Sequence, residues 1–314
     1  MDFNYETDIT IIGAGPAGLS AAIYARRSNL DVILLDKTSP GGKVITTAHV
    51  ANYPGFVEIS GPDLGLKMFE QTQALNTKFL FSEALDIITS NDNQYKFVTL
   101  KNGKVIKCKA VIIATGMVNR KVGASNEVEL YQKGISYCAT CDGALYKDRP
   151  VAVIGSGKSA VEEAIFLSEI ASHVTVISNK TKFKAEQIEI DHLNEVKNAT
   201  ILMQTDTLSF NGVDKLESLT LKNQINDETY DYKVDAAFIF VGFLPVAPTI
   251  NSESILSKTS NFIDVDNKMS TSHLGIFAAG DIITKNIRQI STAISDGTIA
   301  ALSAVEYINN SKWN

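Results

Sequence analysis

Two of the three cysteines, Cys138 and Cys141, stand with two residues between them in Gly134-Ile135-Ser136-Tyr137-Cys138-Ala139-Thr140-Cys141-Asp142-Gly143, with a carboxylate directly after the second. A Cys-x-x-Cys pair closes as a disulfide, opens as a dithiol and polarises its own thiolate, which suits it to thiol exchange. Two other readings fit the same residues. A zinc site would need a second cysteine pair or a close histidine pair. Here Cys108 stands alone, and His49, His173, His192 and His273 are scattered, so no metal is expected. A structural disulfide closing so short a loop would gain little from chain entropy.

A dithiol needs a source of electrons, and the segments on either side of it supply the elements for one. Asp8-Ile9-Thr10-Ile11-Ile12 is a short apolar run that leads into Gly13-Ala14-Gly15-Pro16-Ala17-Gly18, a helix-forming stretch and a second apolar run ending at Asp36. Strand, glycine-rich turn, helix and strand in that order make a dinucleotide site. Gly13 allows the tight turn, Gly15 admits a pyrophosphate, and Gly18 lets helix and strand pack closely. The phosphates would meet the unsatisfied N–H groups of the helix start, and Asp36 would accept from a ribose hydroxyl.

The unit returns after the dithiol. Pro150 to Ile154 is an apolar run, Gly155-Ser156-Gly157-Lys158-Ser159-Ala160 is the turn, Val161 to Ile170 has helical composition, and His173 to Ile177 is the next strand. Gly13 to Asp36 spans the same interval as Gly155 to Ser178, and such a repeat means two nucleotide sites. The copies differ at the ribose position. Asp36 becomes Ser178, followed by Asn179, Lys180, Lys182 and Lys184. Loss of the carboxylate, with lysines nearby, favours a ribose carrying a 2′-phosphate. Lys158 at a helix start opposes the helix dipole unless an anion offsets it, as a pyrophosphate would.

Further elements can be read more coarsely. Residues 80–107 alternate in short β-like runs with a hairpin turn at Lys101-Asn102-Gly103. Ser39 to Val44 is a turn suited to a flat ligand. Val111 to Gly116 and Ala236 to Gly242 are buried strands ending in small residues, and Gly275 to Asp281 is another. Phe243 to Pro248 reads as a crossing linker, and Gln289 to Asn309 as a helix. The fold class expected is α/β with two Rossmann-like domains, the second inserted into the first. The first would comprise 1–118 and 247–314, the second 119–246.

The chain has 314 residues, 45% hydrophobic and 20% charged, with a net charge of −6. That is room for two cored domains, and the acidic balance argues against a nucleic-acid partner. The first residues lack the basic-then-apolar order of a signal peptide, and no apolar run approaches membrane-spanning length. A reducing, cytoplasmic setting is expected, in which a dithiol is catalytic more often than structural.

Taken together, Gly13–Gly18, Ala114-Thr115-Gly116, Cys138-Ala139-Thr140-Cys141-Asp142, Gly155-x-Gly157-x-x-Ala160 with Glu162-Glu163, Ala279-Gly280-Asp281 and Arg288-Gln289 make the chain resemble the bacterial low-molecular-weight thioredoxin reductases over nearly its whole length. The resemblance implies FAD in the first unit, held by Gly13, Gly15, Pro16, Ala17, Gly18, Asp36, Gly41, Gly42, Lys43, Asn52, Ala114, Thr115, Gly116, Gly280, Asp281, Arg288, Gln289 and Ile290. It implies NADPH in the second, at Gly155, Gly157, Lys158, Ser159, Ala160, Glu163, Ser178, Asn179, Lys180 and Lys184. It also implies a homodimer, with thioredoxin or a thioredoxin-like protein as acceptor. Cys141 would face the flavin, Cys138 would attack the partner disulfide, and Asp142 would carry protons. A buried Cys141 would have to reach both flavin and partner, which implies domain rotation.

The chain departs from the resembled pattern in three places. Ser178, Asn179, Lys180 and Lys184 stand where that family has His-Arg-Arg-x-x-x-Arg, Lys43 replaces a glutamine, and Lys158 replaces an Asp or Asn. Lysine lacks the bidentate fork of arginine, so a 2′-phosphate would be held less selectively. Two other readings share the dithiol: a flavoprotein driven by ferredoxin or reduced flavin, and a flavin-binding redox sensor.

Overall fold

The computed structural model describes residues 2–47 and 50–311, so His49 and the last three positions of the 247–314 expectation lie outside it. The chain divides into two compact units, Met1–Val118 with Pro245–Asn314, and Asn119–Leu244.

The first unit is built on a five-stranded parallel sheet in the order Ile276–Ala278, Ala110–Ile113, Ile9–Ile12, Val32–Asp36, Lys78–Phe81. Its central strands are unbroken apolar runs because both faces are covered. Ile9, Ile11 and Leu34 join one core with the helix α1 (Pro16–Arg27), while Ile12, Leu35 and Ile113 join another. Pro16 opens α1 at a position whose N–H has no helical partner in any case. A second, six-stranded sheet contains the expected hairpin, in which Lys96–Leu100 pairs antiparallel with Val105–Cys108.

Helix α2 (Gly61–Ala74) was not anticipated from the sequence, although its start is marked. Ser60 caps it by accepting from the Asp63 N–H at 3.2 Å.

The second unit repeats the plan. Its parallel sheet runs Ile135–Ser136, Ala236–Ile239, Pro150–Ile154, His173–Ile177, Ala199–Leu202. In both units the strand before the glycine-rich turn lies in the middle, with the chain reversing to either side of it. That is the switch point at which α/β sheets bind ligands. Helix α3 (Ala139–Asp142) is a single turn, α4 (Lys158–Ser168) follows the second glycine-rich turn, and α5 (Gln187–Glu195) is another helix the sequence reading did not mark. The long helix α6 (Ile290–Asn310) returns to the first unit and packs on α1.

Candidate active site

The first glycine-rich turn is as tight as its residues require. Gly13 has φ +110°, and a Cβ there would lie 2.3 Å from the Ala114 carbonyl oxygen. A Cβ on Gly18 would lie 1.7 Å from the Gly13 oxygen, so helix and strand touch through bare backbone. Asp36 serves its own turn. One carboxylate oxygen accepts the Ala14 N–H at 2.7 Å, and the other accepts both the N–H and the hydroxyl of Thr38 at 2.8 Å.

A dinucleotide fits this cradle. Gly42 approaches Gly15 so closely that a Cβ on Gly42 would stand 2.9 Å from the Gly15 Cα, leaving backbone alone to line the floor. The buried Thr115 hydroxyl has no hydrogen-bond partner, which is the state of a group that awaits a polar ligand, and Asp281 Oδ1 accepts no hydrogen bond and has only the Lys285 ammonium at 3.8 Å. The structure also joins residues singled out far apart in sequence. Asn52 Nδ2 donates to Gln289 Oε1 at 3.2 Å, where Gln289 caps α6. Lys43 lies near Asp281 and Arg288. Burial pulls its ammonium pKa down to about 8, with Asp281 acting in the opposite sense. Arg288 is largely committed to the fold: its guanidinium donates to the Lys285 and Ile283 carbonyls and stacks 4.2 Å from the Phe262 ring. Lys285 was missed by the sequence reading. It bonds Asp296 at 2.7 Å and stands 3.8 Å from Asp281.

In the second unit a cavity of about 550 Å³ opens over the glycine-rich turn, lined by Gly155, Gly157, Lys158, Ser159, Ser178, Asn179, Lys180 and Lys184 among others. Ser178 is buried and its Oγ accepts the Lys180 N–H at 3.1 Å, while the Lys184 N–H donates to the Ser156 carbonyl at 2.7 Å. Lys184 is thus tethered to the turn by its backbone and Lys180 to the Ser178 hydroxyl, and both side chains are exposed where they can meet an anion. Arg120 and Lys121 line the same cavity and were not foreseen, because they precede the glycine-rich turn by a long stretch of chain.

Two residues behave differently from expectation. Lys158 already has anions: Glu189 at 2.7 Å, Glu162 at 3.6 Å and Glu186 at 3.9 Å, which raise its pKa chiefly through the Glu189 bond. The offset that a pyrophosphate could provide is supplied by α5. Glu163 does not line the cavity. It shares the α4 face of Ala160, Ala164 and Leu167, which packs in the core with Ala139 of α3. Burial raises its pKa to about 7, and its Oε2 has no hydrogen-bond partner.

The dithiol residues are joined: Cys138 and Cys141 form a disulfide, with Cα atoms 5.4 Å apart. Cys138 caps α3, and its Sγ accepts the Cys141 N–H at 3.1 Å and meets the Thr140 hydroxyl at 3.4 Å. The expected burial of Cys141 is corrected here, since Cys141 is exposed and Cys138 half-buried. The reason is helical geometry. Ala139 anchors α3 in the core, and a residue two positions on points to the opposite side. Asp142 bonds Ser136 Oγ at 2.6 Å, a partner that nothing in the linear sequence announced. Cys108 is not part of this pair. It is buried in the first unit, its Sγ–H faces the Lys96 carbonyl at 3.7 Å, and burial pushes its thiol pKa up to about 11. No metal-binding cluster occurs among the described residues, and none of their helices is long and apolar enough to cross a membrane.

A pair of dinucleotide cradles with a joined cysteine pair is the arrangement of a nucleotide-linked disulfide oxidoreductase. The chain belongs to the pyridine nucleotide-disulphide oxidoreductase family, whose profile matches residues 7–297. Membership implies a flavin and a pyridine nucleotide. Relatives within the family include thioredoxin reductases. That of Ureaplasma parvum is 48% identical over 306 residues, covering 98% of each chain. The crystal structure of Lactococcus lactis thioredoxin reductase superposes with a TM-score of 0.87 at 34% identity, covering 97% of this chain and 100% of that one. A ferredoxin-flavin thioredoxin reductase from Clostridium acetobutylicum is 32% identical, with a TM-score of 0.53 and coverage of 98% on both sides.

Proposed function

We propose that this protein is a thioredoxin reductase that takes electrons from NADPH, passes them through FAD to Cys138 and Cys141, and delivers them to the disulfide of thioredoxin or a thioredoxin-like protein. The observation that carries the reading is the joined, partly exposed Cys138–Cys141 pair with Asp142 beside it. The relatives' activity supports it. FAD would lie in the first unit against Gly13, Gly15, Gly42, Thr115 and Asp281, and when bound it supplies a centre that accepts hydride and yields two electrons. The nucleotide cradle of the second unit favours a nicotinamide donor over ferredoxin. Two Rossmann-like domains, the second inserted into the first, accord with the division of the chain at 118/119 and 244/245. A cytoplasmic homodimer completes the reading.

The chain's own groups account for the exchange steps. Two electrons enter the disulfide and break the S–S bond. Cys138 Sγ, held by the Cys141 N–H, is left as thiolate, while Cys141 takes one proton and Asp142 holds the second. The Cys138 thiolate attacks the partner disulfide, forming a mixed disulfide, and the departing partner thiolate takes the proton from Asp142. Cys141 then returns its proton to Asp142 and attacks Cys138 Sγ. The second partner sulfur leaves and is protonated in turn, restoring the Cys138–Cys141 bond. Asp142 ends as it began, and NADPH plus one proton has reduced one disulfide to two thiols.

The test is an anaerobic titration of the flavin-loaded protein with NADPH and with NADH, followed by addition of oxidised thioredoxin. Rapid bleaching of flavin absorbance by NADPH and reoxidation by thioredoxin are expected. Failure of either nucleotide to bleach the flavin would favour a ferredoxin- or flavin-driven enzyme, and bleaching without transfer to thioredoxin would favour a sensor.

A further inference from the structure

Ser136 ends the edge strand Ile135–Ser136 and is 5% exposed, two residues before Cys138. Its hydroxyl is surrounded by three groups. The Cys138 N–H donates to it at 3.0 Å, Asp142 Oδ2 lies at 2.6 Å, and the Cys138 carbonyl oxygen lies at 3.2 Å. A serine hydroxyl has one proton and two lone pairs. One lone pair is occupied by the Cys138 N–H. The single proton faces two acceptors, the Asp142 carboxylate and the Cys138 carbonyl, and can serve only one of them at a time.

We propose that Ser136 is the positioning residue for Asp142, a two-way hydroxyl that keeps that carboxyl bonded in both of its protonation states. When Asp142 is a carboxylate, Ser136 donates to Oδ2. When Asp142 has taken a proton, the carboxyl becomes the donor and Ser136 accepts on its free lone pair. The hydroxyl proton then turns to the Cys138 carbonyl. No buried polar group is left unpaired in either state, so Asp142 can gain and lose a proton without moving away from the dithiol. The Cys138 N–H fixes the oxygen about which this rotation occurs, which ties the carboxyl to the backbone of the sulfur it serves. A threonine would keep the same hydroxyl, and an alanine would remove it. The assignment rests on Asp142 being the proton carrier of thioredoxin reduction, as read above.

The experiment is a double-mutant cycle on the flavin-loaded protein with Ser136→Ala, Ser136→Thr, Asp142→Asn and the double Ser136→Ala/Asp142→Asn. The expected result is a loss of about tenfold in kcat for Ser136→Ala, the scale of one hydrogen bond to a charged group. The KM for thioredoxin should not change, and Ser136→Thr should restore most of the rate. In the Asp142→Asn background the alanine change should cost less than about twofold, because the group it positions is already gone. An equal loss in both backgrounds, a rise in KM alone or failure of threonine to rescue would overturn the assignment. Should the wild type reduce no thioredoxin, the functional reading fails. The same cycle is then read from the rate at which dithiothreitol opens Cys138–Cys141, scored by thiol labelling. Coupling there supports the positioning role, and additivity overturns it.

Discussion

The two glycine-rich turns follow one plan with different tolerances. In the first, Gly18 meets the Gly13 carbonyl oxygen so closely that no side chain fits, and Asp36 is bonded to the turn itself. In the second, Ala160 carries its Cβ without conflict, and the ribose position is Ser178, whose Oγ accepts from Lys180. The first helix start bears no charge in its first turn, whereas the second bears Lys158 strapped to Glu189 of α5. A cofactor that stays bound suits the tighter cradle. A substrate that must come and go suits the looser one, where cations stand on exposed stems.

The largest effect expected on this contrast is chemical. Cys138→Ser should abolish thioredoxin reduction, measured as thioredoxin-dependent NADPH oxidation, while the first unit keeps its FAD and its visible spectrum. Wild-type turnover in this variant would remove the dithiol from the account. Next comes packing. Gly18→Ala should cost about 3 kcal/mol and release FAD, because backbone must move to admit the methyl group. The mirror change Ala160→Gly should cost about 1.5 kcal/mol, from helix propensity and the one buried methyl group it removes, and leave FAD bound. Thermal unfolding with and without added FAD reads both, and equal effects would dissolve the distinction between the cradles.

Lys180→Ala with Lys184→Ala should raise the KM for NADPH about tenfold and leave that for NADH nearly unchanged, since each exposed lysine gives one screened contact. Added salt should weaken NADPH binding more in the wild type than in the double variant, which keeps Arg120 and Lys121 in the cavity. Initial rates at several ionic strengths check this, and equal use of both nucleotides by the wild type would overturn it.

The smallest effect is a pair of opposed pH slopes. Glu163, with a pKa raised from 4.5 to about 7 by burial, favours its neutral form in the folded state, so stability falls as pH rises from about 4.5 to about 7. Lys96 in the first unit has its pKa lowered from 10.5 to about 8 by burial, so stability rises as pH climbs from about 8 to 10.5. Glu163→Gln should flatten the acidic slope and stabilise the protein at pH 8 by about 1 kcal/mol, allowing for partial exposure. Lys96→Met should flatten only the alkaline slope. Denaturant midpoints from pH 4 to 10 distinguish them, and an unaltered slope in either variant would refute that assignment.

Much of the plan was legible because the glycine-rich turns are local: an apolar run, a fixed glycine spacing and a helix lie together in the chain. The dithiol and the hairpin at Asn102-Gly103 were legible for the same reason. What escaped depends on contacts that exist only once the chain has folded. Glu189 reaches Lys158 from α5, Arg120 and Lys121 enter the nucleotide cavity from the start of the unit, and Ser136 finds Asp142 only once α3 has turned back. Helices α2 and α5 did carry local signals, the Ser60 cap and the Glu186–Glu189 capping box, but their apolar faces are narrow. Glu163 looked like a nucleotide ligand by its place after the turn, yet its face of α4 is turned to the core.

The interruption of the first unit also governs the order in which the chain can fold during synthesis. Strand Ala110–Ile113 takes one neighbour, Ile9–Ile12, from chain already made, and the other, Ile276–Ala278, from chain made far later. Helix α1 waits as well: Gly297 of α6 seals against it so closely that a Cβ would stand 2.0 Å from the Ala17 oxygen. At typical ribosomal rates the delay between the two segments is on the order of ten to thirty seconds. Residues 119–244, contiguous in sequence, have every strand of their sheets within that interval. The dithiol unit can therefore mature on the ribosome while the flavin cradle stands open, and capture of FAD becomes a late event tied to the emergence of α6.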